Sequence, residues 1–75
     1  MNNERRKKIK MIIKNIEDLQ SEINRVLDDE QYAYDNMPEG LQCSEKGMNS
    51  EESIDLLESA IEKIDDCIND LNGIV

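Results

Sequence analysis

Eighteen carboxylates, two thiols and two phenols could do chemistry in this 75-residue chain, and no histidine stands among them. Zinc is held by four nitrogen or sulfur ligands, so Cys43 and Cys67 without a histidine fall short of a zinc site. They read instead as reduced thiols, one in a loop and one on a helix flank. Asp28, Asp29 and Glu30 form an acidic run, but the alternating ligands, central glycine and closing glutamate of a calcium loop are missing. Asp55, Glu58, Glu62, Asp65, Asp66 and Asp70 follow the spacing of a helix surface. Such a face keeps a protein solvated, or it offers a negative surface to a basic partner or in imitation of nucleic-acid phosphate. Only Glu30 enters an apolar series, and one carboxylate does not make an acid/base pair. There is no glycine-rich phosphate loop and no serine with a base nearby. The sequence therefore predicts no catalysis, no metal and no cofactor.

Charge is divided along the chain. Residues 1–14 hold six basic side chains against Glu4, a net +5, while residues 15–75 carry a net -14, for -9 in all. The run R-R-K-K-I-K contributes Arg5, Arg6, Lys7, Lys8 and Lys10. It suits contact with nucleic acid or a membrane surface, or pairing with the chain's own acids. No aromatic residue is interleaved with it to stack on a base.

These groups must be positioned by helices. Ile9, Ile12, Ile16, Leu19, Ile23, Val26, Ala33 and Met37 recur at spacings of three and four, with Glu30 the one polar member. Ile13, Leu27 and Tyr34 widen that stripe on one side. A first helix is expected over about residues 4–35. Pro38 then disfavours helical geometry at Met37, and residues 36–49 form a turn in which Gly40 and Gly47 can supply positive φ. Asn49 or Ser50 is expected to cap a second helix over about 50–72, Asn49 with Glu52 resembling a capping box. Its apolar series is Ile54, Leu57, Ile61, Ile64, Ile68, Leu71 and Val75, flanked by Ala60, Cys67 and Ile74.

The two helices can partner each other. Folding about Gln42 brings residue i near residue 84 or 85 minus i, which sets Lys7, Lys10 and Lys14 beside Asp65, Asp66 and Asp70. Exposed pairs are worth at most about 1 kcal/mol each, so they would select the alignment and not hold it. The expected fold is all-α: one domain, 1–75, an antiparallel two-helix coiled-coil hairpin. A chain this short has a thin core, and a hairpin covers its apolar stripes on one side only. The reading is therefore a homodimer forming a four-helix bundle. No stretch is long and apolar enough to span a bilayer, and the charged N-terminus does not suit a signal peptide, so a cytoplasmic protein without membrane contact is expected.

The turn holds the residues least explained by helix formation. Tyr32 and Tyr34 are the only aromatics, and with Asp35, Met37, Glu39, Leu41, Gln42, Glu45 and Lys46 they form the candidate partner-binding set. Tyr34, Met37 and Leu41 serve equally well to plug the open end of a bundle. The run D-N-M-P-E-G-L-Q, followed by S-E-K-G, resembles the turn of small uncharacterised helical-hairpin proteins of bacteria, their phages or prophages, and mobile elements. That resemblance implies an all-helical accessory protein acting on a host protein as inhibitor or regulator, and it brings no catalytic residues. Nucleic-acid binding through the basic arm, or a small ligand held between subunits, are the alternatives.

Overall fold

Asn2 opens the first helix by accepting a hydrogen bond from the backbone N–H of Arg5 at 2.8 Å, which satisfies one of the donors a helix start leaves unpaired. In the computed structural model, which describes residues 1–75, α1 runs Asn3–Asp35. It stops where Pro38 requires. The side chain of Asn36 donates to the Tyr32 carbonyl at 2.7 Å, and the backbone N–H of Met37 donates to that of Tyr34 at 3.1 Å. The turn is not irregular throughout, because a single helical turn, α2, spans Glu39–Gln42. The last helix, α3, spans Glu45–Asn72. The chain is thus all-helical and folds back on itself into a rod of 58 × 15 × 12 Å.

Two expectations about the turn are corrected. The second long helix starts at Glu45 and not near residue 50, so Asn49 and Glu52 lie inside it. Ser44 is the cap: its hydroxyl accepts from the Gly47 N–H and donates to the Leu41 carbonyl, while its own carbonyl accepts from Met48 at 2.9 Å. Nor does any glycine have positive φ. Gly47 is buried for a different reason. A Cβ there would lie 2.5 Å from the Leu41 carbonyl oxygen and closer still to that of Gln42. Glycine lets α3 start directly beneath α2, and the cap therefore falls five residues earlier than the capping-box pattern suggests.

The register agrees with the expected fold-back. Gln20 bonds Asp65 and Tyr34 bonds Glu51, both pairs obeying the 85-minus-i relation. Ser50 donates to Glu30 at 2.6 Å, a few residues tighter towards the turn. The rotation of α1 is different from that expected. Its buried and half-buried side chains are Ile9, Ile13, Ile16, Gln20, Ile23, Leu27, Glu30, Gln31 and Tyr34, and Met37 continues the series beyond the helix end. The seam thus takes the residues that seemed only to widen the stripe. Ile12, Leu19, Val26 and Ala33 stay outside it, all exposed. On α3 the seam matches expectation from Ile54 to Leu71 and extends back through Ser50 to Gly47.

The core is thin. Only Ile13, Ile54 and Ile68 are buried apolar side chains, among five buried residues of 75. The radius of gyration is 17.1 Å, against about 11 Å for a compact domain of this length. With so little burial, the close packing at Gly47 matters. Gly47→Ala is expected to lower stability in chemical denaturation by about 2 kcal/mol, through overpacking against fixed carbonyls. Gly40→Ala, which meets nothing within 4 Å, should instead be neutral or stabilising by up to about 1 kcal/mol.

Candidate functional site

The turn end is held from within. Gln42 reaches back to donate to the Tyr34 carbonyl at 3.0 Å, and the Tyr34 hydroxyl donates to Glu51 at the start of α3. Of the nine residues expected to bind a partner, Tyr34, Met37 and Gln42 are half-buried, and Tyr34 and Gln42 are occupied by these internal bonds. Asp35 is exposed and accepts from Gln31 at 2.9 Å. Tyr32, Glu39, Leu41, Glu45 and Lys46 are exposed, Tyr32 at 72%. The set therefore divides into residues that brace the turn and residues that it presents. The presented ones combine an aromatic ring and a leucine with carboxylates, and the exposed Met48 lies beyond them on α3.

The Tyr34 phenol is held above its ordinary value of 10.0, chiefly by the hydrogen bond to Glu51, which it loses on ionising. Burial adds to the shift, as do the nearby negative charges of Glu51, Cys43 and Asp35.

A second surface runs along the rod. In an antiparallel pair, the positions just N-terminal to the seam residues of each helix fall on one side. Here they are Ile12, Leu19, Val26 and Ala33 on α1, with Ser53, Ala60, Cys67 and Ile74 on α3. The opposite side is polar and carries the Gln20–Asp65 and Tyr34–Glu51 bonds. Ile12 is 40% exposed, Leu19 57% and Val26 55%, and from Ile12 to Ala33 the series extends about 32 Å on helix rise alone. Leu56, on the same edge of α3, is also exposed.

The basic arm forms a third feature. Arg5, Arg6, Lys7, Lys8 and Lys10 are all exposed on α1. Since α3 ends at Asn72, opposite about residue 12 or 13, the first two turns of α1 overhang it. Lys7, Lys10 and Lys14 are exposed, and Asp65 uses a carboxylate oxygen to accept from Gln20 at 2.7 Å. The acidic residues of α3 lie outward along the rod, and no three potential metal ligands converge.

Comparison with protein-family models, with curated proteins and with solved structures finds no match to this chain. What the chain does must be read from these surfaces. No helix is long and apolar enough to cross a membrane.

Sequence reasoning missed Gln20 as a seam residue. The signal was present, since 9, 13, 16, 20, 23, 27, 30, 34 and 37 also alternate four and three, but the neighbouring series is richer in aliphatics. The polar members of the buried series have partners: Gln20 donates to the Ile61 carbonyl at 3.2 Å as well as to Asp65.

Because the folded Tyr34 value is raised, its contribution to stability is complete below pH 10 and is lost as pH rises through the folded value. Tyr34→Phe should remove this alkaline loss, and tyrosinate absorbance should no longer show the late-titrating phenol. A variant that keeps the same alkaline unfolding profile would refute the assignment.

Proposed function

We propose that the protein works without catalysis, as an acidic helical module that binds other proteins and first binds itself. The observation that carries this reading is the apolar side of the rod. Ile12, Leu19 and Val26 stand exposed in a row on one side, and apolar groups gathered along one face mark an association surface. Pairing two such sides makes a four-helix bundle, in which each rod supplies half of the missing core.

Dimerisation through the apolar side leaves Tyr32, Leu41 and Glu45 of the turn uncovered. There they form a contact surface of aromatic, aliphatic and carboxylate groups suited to a basic protein partner. The resemblance of the turn to those of phage and prophage hairpin proteins favours a host protein as that partner, with inhibition or regulation as the outcome. Nucleic-acid binding is the second reading, and the overhang of α1 favours it, because Arg5 to Lys8 stand beyond the end of α3. Against it, the strong negative charge of the remaining chain repels phosphate, so such binding would fall steeply with salt. The hairpin encloses no pocket, and a ligand-sequestering role would need a cavity between copies.

Sedimentation equilibrium should give about twice the 8.7 kDa chain mass at micromolar concentration. Leu19→Glu combined with Val26→Glu should return the single-chain mass, because two buried carboxylates would be left unpaired. A wild-type mass of one chain, or a doubly substituted chain that still dimerises, would remove the basis of the reading.

A further inference from the structure

The apolar side of the rod is nearly self-complementary, and the ends of the rod differ in charge. Taking these together, we infer that the occupant of this surface is a second copy in the opposite direction, with the basic overhang of each copy against the acidic turn of the other. The inference rests on the self-association proposed above and adds its polarity and register.

The size pattern comes first. About a midpoint between Leu19 and Val26 on α1, Leu19 faces Val26 and the large Ile12 faces the small Ala33. About a midpoint between Ala60 and Cys67 on α3, those two residues face each other and the large Ile74 faces the small Ser53. The hairpin register places residue i near 85 minus i, so the two midpoints fall at the same level of the rod to within two residues. One two-fold axis across the rod therefore satisfies both helices at once, as an isologous interface requires. Such an axis sets α1 of one copy antiparallel on α1 of the other, and α3 on α3, with a large residue over a small one at the outer pair of each helix.

Charge selects the same arrangement. Residues 28–52, around the turn, hold eight acidic side chains and only Lys46 as a base. The other end holds the basic run. The two-fold that matches the apolar residues brings Arg5 to Lys10 of one copy beside residues 35–40 of the other, where Asp35 and Glu39 are exposed. The alternative two-fold, along the rod, joins the two turns and sets acid against acid. Like charges brought together cost, and opposite ones select orientation more than they add affinity.

The experiment is a distance measurement between spin labels on Cys43, which is exposed at the turn, in a chain carrying Cys67→Ala to keep that face small and apolar. The antiparallel dimer predicts a separation of about 55 Å from helix rise, whereas turns packed together predict roughly 20 Å. A short distance in a dimer overturns the polarity and leaves self-association standing. A single-chain mass with no interspin distance overturns both. In a second arm, Arg5, Arg6, Lys7 and Lys8 changed to Glu should weaken the dimer about tenfold or more at low salt. An unchanged dissociation constant means that the ends do not meet, and it overturns the charge pairing.

Discussion

Everything about this rod depends on how α1 is rotated against α3, and three polar side chains set that rotation. Gln20, Glu30 and Tyr34 each reach across to α3: Gln20 to the Ile61 carbonyl and Asp65, Glu30 to Ser50, and Tyr34 to Glu51. Aliphatic seams alone are permissive, because a stripe wide enough to be read as two adjacent series can pack through either. Directional hydrogen bonds are different, since each is made in one arrangement of the two helices. The part-buried ones, Ser50 to Glu30 and Gln20 to the Ile61 carbonyl, would leave desolvated groups unpaired if unmade. The polar residues therefore contribute less to the depth of the energy well than to its uniqueness, the role best attested for polar groups in helical seams.

From that rotation follows the exposure of Ile12, Leu19 and Val26, the surface on which the proposed association rests. The turn reinforces the choice. Ser44 caps α3 directly after α2, and Gly47 allows the Gln42 carbonyl to pass where any side chain would collide. The start of α3 is thereby fixed relative to Tyr34, and the level at which Glu51 meets the phenol is fixed with it. Turn and seam specify one register by independent means.

Much of this architecture is legible in the residues. Two helices of apolar periodicity, a stop at Pro38 and a fold-back near Gln42 are all found where spacing and proline stereochemistry put them. The rotation of α1 was not legible. Periodicity ranks stripes by aliphatic content, whereas the fold ranks them by what faces α3, and Ser50 and the Ile61 carbonyl opposite give Glu30 and Gln20 a reason to be inside. The cap was misread for a similar reason. Asn49 and Glu52 make a good local pattern, but Ser44 gains a second bond, to Leu41, that only the folded turn provides. At the candidate site, composition did not distinguish Tyr32, which is presented, from Tyr34, which is used.

The rotation of α1 is tested most directly by intramolecular NOEs in isotope-filtered spectra of the full chain. The account predicts cross-peaks from the Gln20 side-chain amide protons to Ile61 and Asp65 of the same chain. Cross-peaks from the Leu19 methyl groups to Ile61 of the same chain in their place would contradict it, and would close the apolar side on which the proposed association depends.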